Sequence, residues 1–111
     1  MHLYIHFLIA VTYKTAVIQE EWEDQLHNNI TEIVHNNRHK MLAINSLPDH
    51  LHMFINMNPS QSISDMMKLI KEGSAEFINS KKFTQRKFYW QEGYGAFSNS
   101  LFEINTMVNT Y

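Results

Sequence analysis

The order in which the apolar spacing changes along the chain constrains the fold more than any other feature of the sequence. Residues 2–12 alternate or run apolar as a β-strand does, whereas residues 19–36 repeat their apolar positions at helical spacing. Strand-like segments follow at 39–47 and 50–57, then a helix that Ser62 opens, a strand at 88–98 and a last helix from Ser100. The order β-α-β-β-α-β-α predicts an α+β fold, a ferredoxin-like (split βαβ) antiparallel sheet with helices on one face plus a C-terminal helix.

Two histidines, His50 and His52, flank Leu51 at the start of the third predicted strand. Because side chains alternate along a strand, both imidazoles point to one face and Leu51 points to the other. The first and third strands are central in the predicted sheet, so His6 would share the open face with the pair. Two imidazoles on one rigid element can hold a divalent metal ion, and strand histidines in a hydrogen-bonded network are the structural alternative.

A basic cluster with interleaved aromatic residues lies between the second helix and the fourth strand. Basic groups neutralise phosphates and aromatic rings stack on unpaired bases, so the cluster predicts a surface for single-stranded nucleic acid. The alternative is a solvated loop that leads into a buried strand. The cluster comprises Lys81, Lys82, Arg86 and Lys87 with Phe83, Phe88, Tyr89 and Trp90, and further candidate phosphate contacts are Lys14, Lys68 and Lys71.

Several classes of protein are excluded or made less favourable by composition. The chain has no cysteine, which excludes disulfides and thiolate metal sites, and its net charge of −2 does not by itself indicate a nucleic-acid binder. The apolar stretch 3–11 is shorter than the ~20 residues that span a bilayer. We expect a soluble, cytoplasmic, single-domain protein without a membrane segment.

Most other distinctive residues are expected to be structural or solvent-exposed. Trp90 and Tyr94 are expected to support the fourth strand, where Gly93 and Gly95 permit an irregular backbone. The histidines expected at the surface are His2, His27, His35 and His39.

Three motifs, in order, resemble those of the single-tyrosine members of the HUH nuclease superfamily, the small insertion-sequence transposases and REP-associated tyrosine transposases. The sequence PDHLH at 48–52 is similar to the family's metal motif, and WQEGYGAFS at 90–98 resembles its fourth-strand signature. The sequence VNTY at 108–111 resembles the start of the segment that carries the nucleophilic tyrosine. The resemblance covers essentially the whole chain.

This resemblance implies a metal-dependent enzyme that cuts and rejoins single-stranded DNA at hairpin-bearing ends. Tyr111 would attack the scissile phosphate and form a 5′-phosphotyrosine link. His50 and His52 would hold Mg²⁺ or Mn²⁺, and His6 would support them without binding the metal. The expected partners are single-stranded DNA with a hairpin and a second copy of the chain in a homodimer.

One departure from the family pattern concerns the third metal ligand. In the family a glutamine one turn beyond the tyrosine supplies it, and here that position would follow residue 111. We therefore expect a single HUH transposase domain at 1–111 that is truncated within its C-terminal helix. A non-catalytic module that binds single-stranded nucleic acid and an inactive remnant of the family stay open as alternatives.

Overall fold

The computed structural model describes residues 3–12 and 17–98. The described strands form one antiparallel sheet in the order β2-β3-β1-β4, which is the split βαβ arrangement and confirms the predicted fold class. The predicted C-terminal helix lies outside the described residues. The elements in chain order are β1 (Tyr4–Ala10), α1 (Glu20–Asn36), β2 (Lys40–Leu47), β3 (His50–Asn56), α2 (Ile63–Lys81) and β4 (Gly95–Ser98).

The hydrophobic core lies between the sheet and the two helices. Alternate residues of the central strands β1 and β3 point into it, as the period of two requires, and each helix adds one apolar stripe. These side chains are almost fully buried, so they supply most of the apolar area that stabilises the domain. They include Ile5, Phe7 and Ile9 of β1, Leu51, Met53 and Ile55 of β3, Trp22, Leu26, Ile30 and Val34 of α1, and Met66, Met67, Ile70 and Ile78 of α2.

Both helices begin and end close to the predicted positions. The Ser62 hydroxyl accepts a hydrogen bond of 3.0 Å from the backbone N–H of Asp65, so it caps α2 as the Ser62–Asp65 pattern predicts. α1 has acidic residues in its first turn, where the helix dipole favours negative charge, and ends before Asn37. The two helices approach closely at Gly73, where an added Cβ would lie 2.7 Å from Ile33 Cδ1.

The fourth strand is shorter than predicted. Regular pairing covers only Gly95–Ser98, although Trp90 forms an isolated bridge with Val11. The chain leaves the sheet between them because Gly93 has a φ of +78°, a left-handed conformation that glycine adopts without steric cost. The sequence predicts a strand over 88–98 that Gly93 and Gly95 interrupt, and the observed strand is split at this loop.

The expectation that His39 lies at the surface is wrong. Its side chain is only 4 % exposed, and both ring nitrogens are hydrogen-bonded. Nδ1 accepts from the backbone N–H of Asn58 at 2.8 Å, and Nε2 lies 2.6 Å from Oε1 of Gln61. The ring therefore ties the start of β2 to the loop that precedes α2, a long-range contact that local sequence does not reveal.

Candidate active site

The three histidines that the sequence singled out lie together on the sheet face opposite the helices. β1 and β3 pair in the register Leu8↔His52, which brings His6 of β1 next to His52 of β3. His6 Nε2 lies 3.0 Å from His52 Nδ1, and the rings of His50 and His52 are 4.9 Å apart. The two central strands thus hold three imidazoles as one cluster.

Each of the two predicted metal ligands has its Nδ1 atom engaged by a neighbouring side chain. His50 Nδ1 lies 2.6 Å from Asp49 Oδ1, and a carboxylate can only accept this hydrogen bond. His52 Nδ1 faces His6 Nε2, which accepts if the proton of His52 is on Nδ1. In that tautomer the available lone pair of each ring is on Nε2. Metal-binding histidines commonly have this arrangement, in which one ring nitrogen binds the metal and the other donates a hydrogen bond to a neighbouring group.

Burial favours the neutral form of this cluster. Removal from water lowers the pKa of His52, and the neighbouring imidazoles His50 and His6 lower it further. Burial also lowers the pKa of His6. Because a metal ion binds neutral imidazole, the lowered pKa of His52 reduces the competition of protons with a metal ion at that ring.

The histidine pair fits a divalent cation as a partial donor set. Within residues 3–12 and 17–98, no group of three or more His, Cys, Asp or Glu side chains is arranged to hold a metal ion. Two imidazoles leave most positions of an octahedral ion to water or to substrate oxygens, as Mg²⁺ and Mn²⁺ sites often do. Tyr111, the predicted nucleophile, lies outside the described residues.

A cleft of about 320 Å³ opens beside His50. Its walls come from the end of β1, from the turn before β3 and from the segment after Trp90. Gln91 is fixed there because its backbone N–H donates to the carbonyl of Ala10 at 2.7 Å. The lining residues are Leu8, Ala10, Val11, Thr12, Asp49, His50 and Gln91.

The loop that interrupts the fourth strand is held by Lys71. Its Nζ atom donates to the carbonyl oxygens of Gln91 at 2.6 Å and Gly93 at 2.9 Å. Burial lowers the pKa of Lys71, and Glu92 opposes that shift. At the far side of the loop, the hydroxyls of Tyr94 and Ser64 are 3.0 Å apart, in keeping with the structural role expected for Tyr94.

The candidate DNA-contacting residues fall into separate regions. Lys68 and Lys71 lie on α2, in the helical layer, whereas the histidines lie on the opposite face of the sheet. The cationic residues of the basic cluster are exposed at the end of the sheet where β1 ends and β3 begins. Lys14 lies outside the described residues. The exposed cluster contains Lys81, Lys82, Arg86 and Lys87.

Sequence reasoning did not identify two contributors to this site. Asp49 belongs to the PDHLH motif, but no role is predicted for it from the sequence, although its place directly before His50 is the signal for a carboxylate partner. Lys71 was interpreted as a phosphate contact, and no local pattern links it to carbonyl groups 20 and 22 residues away.

Comparison with known proteins gives one family match and one sequence relative. The family described as "Transposase IS200 like" matches residues 1–111. The ISDra2 transposase TnpA of Deinococcus radiodurans is 30% identical over 70 residues, which cover 63% of this chain and 50% of that protein. The matched chain therefore spans about half the length of that relative.

Two solved structures share the fold. A candidate transposase from Deinococcus radiodurans R1 aligns with a TM-score of 0.80 and 22% identity, over 99% of this chain and 88% of that one. A REP-associated tyrosine transposase bound to a REP hairpin aligns with a TM-score of 0.71 and 13% identity, over 96% and 62% of the two chains. At these identities the likeness establishes the fold. No helix in the described ranges has the length and apolar character needed to cross a membrane.

Proposed function

This chain belongs to the family of IS200-like transposases, and from that premise we propose that it cuts and rejoins single-stranded DNA through a phosphotyrosine intermediate. The observation that carries the proposal is the pairing of His50 and His52 on one sheet face, each with Nδ1 engaged by a neighbour. That arrangement suits metal binding through Nε2 of both rings.

The proposed roles of the residues follow from this geometry. The Asp49 carboxylate accepts a hydrogen bond from Nδ1–H of His50, and in the proposed tautomer His6 Nε2 accepts one from Nδ1–H of His52, so each ligand presents Nε2. A bound Mg²⁺ or Mn²⁺ would polarise the scissile phosphate and stabilise the charge that develops on its oxygens. The Tyr111 hydroxyl attacks the phosphorus atom, loses its proton, and displaces the 3′ oxygen, which leaves as a 3′-hydroxyl end.

The proposed substrate is a single strand that carries a hairpin. One structural neighbour is bound to a REP hairpin, and in the described chain both helices pack on the sheet face opposite the histidines. We also propose that the protein acts as a homodimer, as the family resemblance implies. Sedimentation equilibrium at micromolar concentration tests this directly, and a monomer at all concentrations contradicts it.

Metal binding is tested by titrating Mn²⁺ and following the EPR signal of the free ion. We expect stoichiometric binding that is lost in the His50→Ala/His52→Ala double variant. His35→Ala is the matched control, because His35 is exposed and lies on α1, away from the cluster. Equal binding by the double variant and the native protein would show that the pair is not a metal site.

The chemistry is tested with single-stranded DNA that covers both flanks of the gene. We expect a covalent DNA–protein adduct that resists denaturation by SDS, requires Mg²⁺ or Mn²⁺, and is absent in Tyr111→Phe. An adduct that persists in Tyr111→Phe assigns the nucleophile elsewhere. Binding of DNA without any adduct, unaffected by chelators, supports the alternative of a non-catalytic binding module, because such a module does not need the histidine pair.

A further inference from the structure

The short segment between the basic cluster and the histidine cleft presents one aromatic ring outward. Phe88 and Trp90 are buried in the core, at 1% and 8% exposure. Tyr89 lies between them and is 45% exposed, because successive side chains of an extended segment point to opposite sides. Of the four aromatic residues that sequence reasoning associated with the basic cluster, Tyr89 is therefore the one placed to meet a ligand.

Tyr89 is held at the edge of the histidine cleft by backbone hydrogen bonds. Its carbonyl accepts from the N–H of Thr12 at 3.0 Å, and Thr12 and Gln91 both line the cleft together with His50. The side chain of Asn79 also fixes this segment, since it accepts from the N–H of Phe88 at 2.7 Å and donates to its carbonyl at 3.1 Å. The ring therefore stands on a rigid backbone that leads directly to the cleft.

Cationic side chains lie close to the Tyr89 ring. Lys87 Nζ lies 5.4 Å from the centre of the Tyr89 ring, within cation–π range. Tyr89 and Lys87 line a cleft of about 520 Å³ together with Glu76 of α2. An adjacent cleft of about 350 Å³, which Lys87 also lines, has three cationic residues and neutral polar residues in its walls, with no carboxylate among them. Such a surface attracts the phosphates of a nucleic acid. The residues that line the adjacent cleft are Asn79, Lys82, Thr84, Gln85, Arg86 and Lys87.

We infer that Tyr89 and Lys87 form a subsite for one unpaired nucleotide of the strand that leads away from the histidine pair. The base stacks on Tyr89, while Lys87 and Arg86 neutralise the adjoining phosphates. The inference deepens the proposed function and rests on it, because it assumes a DNA strand in the histidine cleft. It also gives that strand a direction, past Thr12 toward the 82–87 cluster and away from the lysines of α2.

Binding of a fluorescein-labelled twelve-residue oligothymidylate, followed by anisotropy in EDTA, tests the subsite without any chemistry. Because stacking on one aromatic ring contributes substantially to single-strand binding, we expect Tyr89→Ala to weaken binding about 5- to 100-fold. Tyr89→Phe should stay within about twofold of the native protein, because it keeps the stacking face. Tyr89→Leu should resemble Tyr89→Ala, because leucine fills a similar space without an aromatic face.

The cationic part of the subsite is tested by the salt dependence of the same binding. Lys87→Ala should reduce the slope of log K against log[salt] by about 0.7, the value for one phosphate contact on a single strand. Lys40→Ala is the matched control and should leave the slope unchanged, because Lys40 is exposed at the start of β2, at the end of the sheet away from His50. An equal reduction in both variants would overturn the proposed direction of the strand.

The failure of the subsite and the failure of the proposed function give different results. If the native protein binds the oligonucleotide and Tyr89→Ala binds equally well, the subsite is refuted and the transposase proposal stands. If the native protein binds no single-stranded DNA, both are refuted. Circular dichroism melting of each variant provides the folding control, and a Tyr89→Ala variant that melts like the native protein but binds weakly supports the subsite.

Discussion

Replacing Ser74 by alanine should destabilise the protein out of proportion to the single oxygen atom removed. Ser74 lies on α2 with no exposed surface, and its hydroxyl connects two groups. The hydroxyl accepts from Nε1 of Trp90 at 2.9 Å and donates to the carbonyl of Ile70 at 2.6 Å. The Ile70 carbonyl is part of α2 and also has a helical backbone partner. The group that Ser74→Ala leaves without a partner is therefore the indole N–H of Trp90.

The magnitude follows from the fate of that N–H group. A buried donor left without an acceptor costs about 1–3 kcal/mol, and alanine returns up to about 0.5 kcal/mol through its higher helix propensity. We therefore expect Ser74→Ala to lower the free energy of unfolding by about 0.5–3 kcal/mol. At about 4–8 °C per kcal/mol for a domain of this size, the loss is readily visible in Tm.

The assay is urea and thermal unfolding followed by far-UV circular dichroism, with Ser80→Ala as the matched control. Ser80 lies on the same helix and its hydroxyl also donates to a backbone carbonyl, that of Phe77 at 2.9 Å, but it is exposed. Ser80→Ala should change stability by no more than about 0.5 kcal/mol. Equal stabilities for Ser74→Ala and Ser80→Ala would refute the reasoning. Trp90→Phe should cost less when added to the Ser74→Ala variant than when added to the native protein, because in the variant it removes a donor that is already unpaired.

Three further predictions concern the loop and the pH response. Lys71→Met should accelerate amide hydrogen exchange in residues 91–94, because two carbonyls lose their shared donor, whereas unchanged exchange would show that other contacts hold the loop. Gly93→Ala should lower the free energy of unfolding by about 1–2 kcal/mol, since the φ of Gly93 is +78° and no atom lies within 4 Å of an added Cβ. A much larger loss in urea unfolding would show that the left-handed backbone is not the main cost of the substitution. Burial lowers the pKa of His27 below 6.5, so the unfolded chain takes up the proton first and stability falls as the pH drops below 6.5. His27→Gln should lose less stability than the native protein between about pH 7.5 and pH 5, and an equal loss in both would assign the pH response to other groups.

The parts of the fold that the sequence predicted are those governed by local spacing. The alternation of Leu51, Met53 and Ile55 with the histidines determined which face of β3 is buried, and one residue of slippage would have reversed it. Helical spacing and the capping serine identified α2 for the same reason. These signals are contained within a few neighbouring residues, so they can be recognised without knowledge of the tertiary contacts.

The features that sequence reasoning missed depend on contacts between distant segments. His39 is buried because Gln61 and Asn58 meet it from a loop about twenty residues away, and no spacing rule signals that meeting. Lys71 resembled any other exposed lysine of a helix, yet the left-handed turn at Gly93 brings carbonyl groups to it. The histidine cluster was found because register, a property of the sheet pattern, brings its members together.

The order of strands in the sheet also determines when the histidine cluster can exist during synthesis. β1 emerges first from the ribosome, but its neighbours in the sheet are β3 and β4. His6 thus waits for a partner 46 residues further along the chain, because α1 and β2 are synthesised before β3, the strand that pairs with β1. Such non-local pairing is slow to form, so β1 stays unpaired until β3 is available. The imidazole cluster of His6, His50 and His52 therefore cannot assemble until β3 has left the ribosome, so its formation reports that the two central strands have paired.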